Sequence, residues 1–482
     1  GQRIKYQDLS FKLNFPTEKA GTFSLWGIGG TDDTHKEAIK IPSDWKTDID
    51  RVTNSWDTYV GTIGLRHQIT AGEKSFVESH AAFSSTDDRI TTDYLSDDAS
   101  VFTPDSRLKK QNGTLTLATS LTHKLSSSAT FKAGITHKQL FYNYDLSAAQ
   151  DYVPSTYAHI VNSAGNTNFT EAYSQIKYQL SPSLLANVGL HIHHFGLNKE
   201  VSLESRAGLA WKISDKHSLS FGYGKHSQPE DLNVYMIEVG GIAVNKDLKI
   251  SEAHHFVLGY DWQLTDKLRF KVEGYFQYLW NIAGEEGTSY SLINLRRALY
   301  LNKKLVNNTE GRNYGIDLTL ERFLADNYYY LITGSVFTSK YKAGDNVWRN
   351  TRYNKGFVLN ALFGKEFYFA NNRKVLDVNA RITVTGGERY SPILQSQSLA
   401  AKRVIFDESR AFSEQLRPLT YADLTVNYRI NHHKSSSVFS FQMKNVLGAP
   451  IYIDHNYNYQ TGQIELSKAT LVIPNISYKI EF

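Results

Sequence analysis

The chain ends on a stretch that alternates between apolar and polar side chains, Ile476-Ser477-Tyr478-Lys479-Ile480-Glu481-Phe482. Successive side chains of an extended strand point to opposite faces, so the apolar members share one face and the polar members share the other. Such a strand fits a sheet with lipid on one side and a polar interior on the other, and the final aromatic ring fits the membrane interface. A soluble edge strand can show the same short pattern, so the rest of the chain decides the fold class.

The same alternation recurs in longer segments upstream. Residues 201–213, 268–281 and 376–385 place apolar residues on one face and polar or charged residues on the other. Alternation over this length indicates strands longer than the ~5–6 residues of typical globular sheets. Membrane-crossing strands need about 9–11 residues. Since nothing repeats at the period of a propeller blade, the long strands favour a barrel.

The composition agrees with a membrane barrel and excludes several other classes. Aromatic residues make up 13% of the 482 residues, Tyr leads them with 30, and only 41% of the residues are hydrophobic. No apolar run approaches the ~20 residues of a membrane helix, whereas a barrel strand needs an apolar surface on one face only. The chain has no Cys, which excludes disulfides and thiolate chemistry. A net charge of +5 is too small to indicate a nucleic-acid partner.

The connections between the predicted strands alternate between short and long. The short ones are turn-like and lie at 17–21, 71–73, 126–128, 181–183, 214–216, 371–373 and 432–434. The long ones are polar and lie near 87–108, 146–166, 230–252, 283–307, 388–411 and 453–462. Short periplasmic turns and long extracellular loops are typical of outer-membrane barrels. The sequence therefore predicts an all-β protein, a transmembrane antiparallel β-barrel.

Several motifs resemble those of one receptor family. They are AHHFVLGY at 253–260, EGYFQYL at 273–279, EGRNYGIDLTLER at 310–322, WRNTRYN at 348–354, YADL at 421–424 and KNVL at 444–447. As a set they are similar to the barrel half of Bacteroidota-type TonB-dependent receptors, over essentially the whole chain. The resemblance implies a barrel of about 22 strands around an N-terminal plug domain, preceded by a segment that contacts TonB. Coupling to TonB is implied by the resemblance alone, since this sequence shows neither plug nor segment.

The number of predicted strands bears on how much of such a barrel the sequence contains. About nineteen strands fit between the first, at 5–15, and the closing strand. Bacterial single-chain barrels have an even strand number with both termini in the periplasm. If the closing strand descends toward the periplasm, the strand at 5–15 also descends, and a chain cannot begin outside the cell. We therefore expect residues 1–482 to form the C-terminal part of an outer-membrane β-barrel domain, about 19 of about 22 strands, without the plug domain and the first strands.

Candidate ligand-binding residues lie in the long loops and at the extracellular rim. Aromatic loop residues offer stacking surfaces for sugars, haem or chelates, and those chosen are Tyr94, Phe102, Tyr152, Tyr157, Tyr235 and Tyr390. Trp348 is expected in an aromatic girdle at the rim. Arg349 and Arg352 beside it would hold an anionic ligand or a lipopolysaccharide phosphate, or simply pair with carboxylates of the wall.

Two histidines are candidates inside the barrel. His191 and His193 share a strand face with Asn187 and Gly189, so both are expected to point into the lumen. Residues two apart on a strand lie ~7 Å from each other, and these imidazoles need a third ligand to bind a metal. Ordinary polar residues of the lumen are the simpler interpretation. No metal site and no cofactor is assigned.

The sequence favours transport over catalysis. It has no Ser nucleophile elbow, no zincin helix and no Gly-rich phosphate loop, so we do not expect an enzyme. The leading hypothesis is a TonB-dependent outer-membrane receptor that imports a large nutrient: an iron chelate, haem, cobalamin, a glycan or a peptide. A barrel scaffold for surface lipoproteins and a passive porin are the alternatives. The expected partners are outer-membrane lipid and lipopolysaccharide, TonB through an N-terminal region outside this sequence, and, for the scaffold, a surface lipoprotein.

Overall fold

One large antiparallel β-sheet dominates the computed structural model, which describes residues 2–149, 157–295, 301–371 and 373–482. In chain order the strands are β1 (Gln2–Pro16), β2 (Thr22–Lys36), β3 (Val52–Ala71), β4 (Ser75–Leu95), β5 (Phe102–Lys124), β6 (Ala129–Ala149), β7 (Tyr157–Ser181), β8 (Leu184–Phe195), β9 (Glu200–Lys212), β10 (His217–Gln228), β11 (Glu238–Val239), β12 (Ile242–Ala243), β13 (Ser251–Thr265), β14 (Leu268–Gly284), β15 (Val306–Ala325), β16 (Tyr328–Lys342), β17 (Trp348–Asn350), β18 (Phe357–Phe369), β19 (Lys374–Thr385), β20 (Arg389–Tyr390), β21 (Glu414–Gln415), β22 (Leu419–Asn431), β23 (Ser436–Lys444), β24 (Ile451–Asn458), β25 (Gln463–Ala469) and β26 (Ile473–Glu481).

The helices are short and lie in the connections between strands. They are α1 (Leu232–Tyr235), α2 (Gln395–Ala401) and the 3-10 turns Pro42–Asp44, Asp48–Arg51, Leu292–Asn294 and Glu408–Arg410. Across the described ranges, none of the helices has both the length and the apolar character that crossing a membrane demands.

Neighbouring strands of the large sheet follow each other in chain order and pair antiparallel. Each strand from β1 to β10 pairs with the next, and the order continues through β13, β14, β15, β16, β18, β19, β22 and β23 to β26. The short β17 pairs with the C-terminal end of β16, and β18 pairs with the remainder, so β17 and β18 share one position. The sheet therefore has nineteen positions, which confirms the predicted number. Among the described residues, β1 pairs with β2 alone and β26 with β23 alone.

The alternation in the sequence becomes two faces of the sheet. On β8, Val188, Leu190 and Ile192 are 55%, 52% and 43% exposed, whereas His193 is 6% exposed. A continuous apolar surface of this size is rare on soluble proteins and is expected where a barrel meets lipid. Its members on other strands include Ile63, Leu65, Phe83, Leu117, Ile135, Ile176, Leu203, Leu209, Phe221, Leu258, Phe276, Ile316, Leu318, Ile332, Leu359, Ile382, Phe441, Ile476 and Ile480. This outward band confirms the transmembrane barrel.

The connections confirm the predicted asymmetry and correct three loops. Short turns join β3 to β4, β7 to β8 and β15 to β16, whereas the longest connections lie at 37–51, 229–250, 285–305, 343–356, 386–418 and 445–472. The predicted loop at 87–108 is wrong, because β4 and β5 continue into it and only 96–101 connects them. The predicted loop at 453–462 lies on the β24–β25 hairpin. The predicted loop at 146–166 is wrong at its ends, where 146–149 belong to β6 and 157–166 to β7, and residues 150–156 lie outside the described residues.

The buried core lies on the inward face at the end of the barrel that carries the long connections. Tyr144 and Leu146 on β6, Phe195 on β8 and residues 234–237 of the β10–β13 connection pack into one apolar cluster. That connection therefore folds into the barrel, and it covers the inner wall formed by β5 to β8.

Candidate ligand-binding site

The long connections enclose a cavity of about 900 Å³, which we call the loop cavity. Its walls come from the β2–β3 connection (48–52), the end of β4 and the turn after it (94–97), the start of β5 (103–105), the segment after α2 (401–406) and the β24–β25 hairpin (454–459). This volume is within the range of about 300–1,000 Å³ that is usual for pockets of small organic ligands.

Arg51 is the side chain that joins three of these segments. The buried guanidinium donates hydrogen bonds to the Leu95 carbonyl oxygen at 2.8 and 3.1 Å and to the Tyr459 hydroxyl at 2.9 Å, and it pairs with Asp97. Its carbon Cζ lies 4.7 Å from the ring centre of Trp45 and 4.5 Å from that of Tyr94. Cation–π contacts of this kind are stronger when the cation is shielded from water. Arg51 therefore fixes the loops on this side of the cavity.

Two tyrosine hydroxyls meet at one carboxylate beside Arg51. Tyr94 and Tyr459 donate to Asp48 Oδ1 at 2.9 and 2.6 Å. Burial, and then the hydrogen bond to the Asp48 carboxylate, raise the pKa of Tyr459, so its hydroxyl stays protonated at neutral pH. The two rings consequently keep a fixed orientation in the cavity wall.

The segment 401–406 and the hairpin form a wall of mixed charge. Lys402, Arg403 and Phe406 come from the segment, and His455 and Tyr457 come from the hairpin. Burial lowers the pKa of His455, so its imidazole is neutral at neutral pH. Carboxylates also line the cavity, at positions 97, 105 and 454. Ring faces, hydroxyls and charges of both signs can together hold an organic ligand that carries aromatic rings and several charged groups.

The structure places the predicted loop aromatics at different distances from this cavity. Tyr94 lines it. Tyr390 packs behind it, with its ring centre 4.7 Å from that of His455. Phe102 and Tyr157 are exposed at the first positions of β5 and β7, outside the lining. Tyr152 lies outside the described residues.

Tyr235 has a different environment from the one expected of a ligand-binding loop residue. It is fully buried in the apolar cluster, with its ring centre 5.2 Å from that of Phe195 and its hydroxyl accepting from the Glu230 backbone N–H. The sequence interpretation failed because the connection that carries Tyr235 folds into the barrel. The residue has no face left for a ligand in this structure.

The three rim residues form anchoring contacts. Arg312 lies over the Trp348 ring at 4.3 Å, and Arg352 lies over the Phe412 ring at 5.6 Å. Arg349 contacts both carboxylate oxygens of Asp345, at 2.9 and 2.7 Å, and donates to the Ser409 carbonyl oxygen. These contacts favour the simpler expectation, that the rim arginines hold the wall together.

His191 and His193 lie on the inward face of β8, as expected from the strand periodicity. Their neighbours across the strand pairs are Tyr173 and Glu171 on β7 and Glu204 and Ser202 on β9. They are far along the strand from the periplasmic turn and lie next to the apolar cluster, since His193 contacts the Phe169 ring and Phe169 in turn contacts Phe195.

Several residues that sequence reasoning missed lie outside the strands. Arg51, Lys402 and Tyr459 have no strand periodicity that would assign them to a face. One signal was present, the run Asn456-Tyr457-Asn458-Tyr459 in a predicted loop, which carries the same aromatic and amide chemistry as the loop residues that were chosen.

The fold and the loop cavity together define a class, that of the outer-membrane receptor barrels. A model of the TonB dependent receptor-like β-barrel matches residues 5–446. The chain therefore belongs to the TonB-dependent receptor β-barrel family, which confirms the predicted family and locates the outward apolar band in the outer membrane. The Bacteroidota subtype stays a prediction.

Solved structures of siderophore receptors share the fold. FpvA from Pseudomonas aeruginosa, in a complex with a heterologous pyoverdine and iron, aligns with a TM-score of 0.70 and 12% identity over 100% of this chain and 65% of FpvA. The ferric yersiniabactin uptake receptor FyuA from Yersinia pestis aligns with a TM-score of 0.68 and 10% identity, over 100% of this chain and 71% of FyuA. The ferric-catecholate import receptor Fiu from Escherichia coli K12 aligns with a TM-score of 0.67 and 11% identity, over 99% of this chain and 74% of Fiu. A comparison with curated proteins gives no match.

Proposed function

We propose that the protein is an outer-membrane receptor that imports an iron chelate, and that the loop cavity binds this chelate. Structures of the same fold include a pyoverdine–iron complex, a ferric yersiniabactin uptake receptor and a ferric-catecholate import receptor. At 10–12% identity these relatives support the class of ligand and leave its identity open. Because the chain spans 65% of the length of FpvA, the activity of a whole receptor is part of the proposal.

The observation that carries the proposal is the chemistry of the loop cavity. Organic iron chelates combine planar or aromatic groups with several oxygen donors that carry charge around the metal. Tyr94, Phe406 and Tyr459 supply ring faces at the cavity wall, and Lys402 and Arg403 supply positive charge for anionic oxygens. Rings and positive charge in one water-restricted space recognise both parts of such a ligand.

Energy for import is the second part of the proposal. The outer membrane has no energy source of its own, and the family resemblance assigns the driving force to TonB. TonB would act through a plug domain and a contact segment in the N-terminal region outside this sequence. In this proposal residues 1–482 are the C-terminal part of the barrel domain around that plug.

The test uses the full-length receptor in an iron-starved strain that lacks its own copy. Radiolabelled iron is supplied as a ferric catecholate, as a ferric hydroxamate and as ferric citrate. We expect uptake of at least one chelate, loss of uptake without TonB, and a loss of about tenfold or more in affinity for the double variant Tyr94→Ala, Lys402→Ala. The matched control is Lys19→Ala, which removes an exposed lysine from the short turn at 17–21, at the other end of the barrel.

Two results would contradict import and identify the alternatives. Passage of the chelates and of unrelated small solutes without TonB would indicate a passive porin. Absence of uptake and of chelate binding, together with a surface lipoprotein that remains bound during purification, would indicate a scaffold.

A further inference from the structure

Four titratable side chains on three neighbouring strands form a group that the proposed import does not use. It consists of Glu171 on β7, His191 and His193 on β8 and Glu204 on β9, and we call it the histidine cluster. Strand pairing puts Glu171 opposite His193 and Glu204 opposite His191. The two imidazoles alone cannot hold a metal ion, and the fold supplies the acidic residues that the sequence could not place beside them.

One atom of this group lacks a partner although it is buried. His193 is 6% exposed, and its Nδ1 has no hydrogen-bond partner among the described residues. The carboxylate oxygen Glu171 Oε1 lies 3.9 Å from it, too far for a hydrogen bond. A protonated Nδ1 is then a buried donor without an acceptor, and an unprotonated Nδ1 faces the lone pairs of a carboxylate. A metal ion binds only the unprotonated nitrogen, so a cation between the two atoms gives an unprotonated Nδ1 and the carboxylate oxygen a common partner.

The remaining contacts orient the cluster toward that position. Glu204 is buried, with Oε2 2.9 Å from His191 Nδ1 and Oε1 3.3 Å from His193 Nε2, and these two ring nitrogens lie 2.7 Å from each other. Holding a ring by one nitrogen directs the other nitrogen to a metal, and carboxylates commonly do this for metal-binding histidines. Lys138 contacts the other oxygen of Glu171, Oε2, at 2.9 Å, so Oε1 is the oxygen that faces His193.

The distances suit one metal ion. Nitrogen and carboxylate ligands lie about 2.0–2.2 Å from zinc, so two ligands of one ion are at most about 4.4 Å apart. The 3.9 Å between His193 Nδ1 and Glu171 Oε1 is within this limit. One ligand atom each from Glu171, His191 and His193 lie within 4.8 Å of one another, so a small side-chain rotation brings all three to one ion.

From this geometry we infer that Glu171, His191 and His193 form a binding site for a divalent transition-metal ion in the lumen wall. Two imidazoles and one carboxylate suit zinc(II) and its neighbours better than magnesium or calcium, which prefer oxygen ligands. Three protein ligands leave a fourth position for water or for a group that enters the lumen. Glu204 is a positioning residue, since it holds the imidazoles and is not one of the three ligands.

The test measures metal binding to the intact purified receptor after removal of metals with a chelator. Titration calorimetry with zinc(II) should give one site, and cobalt(II) should give the visible absorption bands of a four-coordinate ion. Glu171→Gln keeps the shape of the side chain and removes its charge, and His193→Ala removes the unpartnered ligand. We expect His193→Ala to abolish the site, and Glu171→Gln and Glu204→Gln to weaken zinc binding by about 10–100-fold.

The matched control is His254→Ala on β13, which removes a histidine that bonds to the Tyr223 hydroxyl at 3.1 Å, outside the cluster. Zinc affinity and the cobalt spectrum should be unchanged in this variant. A folded receptor that binds neither ion would overturn the inference. So would an unchanged cobalt spectrum in both His193→Ala and Glu171→Gln, or an equal loss in His254→Ala.

Discussion

The loop cavity and the histidine cluster are held together in different ways. Paired backbones of β7, β8 and β9 place the members of the histidine cluster opposite one another. In the loop cavity, Arg51 and Tyr459 are 408 positions apart and meet only through their side chains. The position of the cluster is therefore fixed by strand hydrogen bonds that survive a side-chain change. The shape of the cavity depends on the side chains themselves.

Arg51→Ala should have the largest effect, because it removes the side chain that joins the loops. Hydrogen bonds to a charged group contribute about 1.5–3 kcal/mol each, so we expect about 3–5 kcal/mol less local stability. Hydrogen exchange should speed up by roughly 100-fold or more at 94–101 and 454–459, and the amides of β7 to β9 should keep their protection.

The control for this variant is Arg89→Ala. Arg89 pairs with Asp87 at 2.7 Å on the surface of β4, and such exposed pairs contribute little to stability. Equal effects of the two variants would show that Arg51 does not hold the loops.

In the metal-free receptor, Glu204→Gln should have an intermediate effect on local stability, confined to the barrel wall around residues 202–206. Glu204 accepts hydrogen bonds from the Ser227 backbone N–H at 2.6 Å, from the Ser227 hydroxyl at 2.8 Å and from Arg206 at 2.7 Å. Loss of the charge weakens these bonds by about 1–2 kcal/mol in total. Hydrogen exchange near residues 202–206 should rise by about tenfold. Faster exchange in the loop cavity as well would show that the two regions are coupled.

Tyr459→Phe should have a smaller effect, restricted to the cavity. The change removes a hydroxyl that donates to Asp48 at 2.6 Å and accepts from Arg51 at 2.9 Å, and it keeps the ring. A loss of about 1 kcal/mol corresponds to roughly fivefold weaker binding of a chelate that the receptor transports. Calorimetry measures this change. Tyr457→Phe is the control, since its ring also lines the cavity while its hydroxyl is not part of this bridge. Equal losses of chelate affinity in the two variants would contradict the role of the Tyr459 hydroxyl as a bridge between Asp48 and Arg51.

Lowering the pH should have the smallest effect, confined to the turn at 96–101 beside the cavity. Hydrogen bonds from Ser96 and then Ser100 lower the pKa of the exposed Asp98 carboxyl to about 2, from an ordinary value of 3.8. Because the folded-state pKa is depressed, the ionised carboxylate stabilises the turn above pH 3.8, and this contribution is lost as the pH falls toward 2. Nuclear magnetic resonance titration should show the low midpoint, and Asp98→Asn should abolish the pH dependence at 96–101. A midpoint at the ordinary value would contradict the turn geometry.

Strand periodicity predicted the membrane wall and the orientation of the cluster, and it failed where both faces of a strand are polar. His191 and His193 were assigned to the lumen because Asn187 and Gly189 precede them on the same strand face, and the structure agrees. The predicted loop at 87–108 was wrong because Asp87 and Asp88 still pair with β5 beyond the lipid, where no apolar face is required. Backbone pairing continues there without the alternation that would reveal it.

The loop cavity was largely invisible in the sequence for a related reason. Tyr94 was chosen as a loop aromatic and does line the cavity, although it lies on the end of a strand. Arg51 and Lys402 lie in irregular segments, where no period assigns a side chain to a face. Their role depends on which distant connections meet, and the chain order of the strands alone does not give that information.

The unequal lengths of the strands give the barrel a slanted rim. At about 3.3 Å per residue and a tilt of about 40°, the 25 residues of β7 span about 60 Å along the membrane normal, and the nine residues of β26 span about 23 Å. The cavity lies near the top of the high side, against β4 and β5, and residues 401–406 and 454–459 reach it from connections that start on the low side. The high side opens only if strand hydrogen bonds break. Those two connections are not paired with the large sheet, so they are a part of the cavity wall that can move without breaking its strand hydrogen bonds.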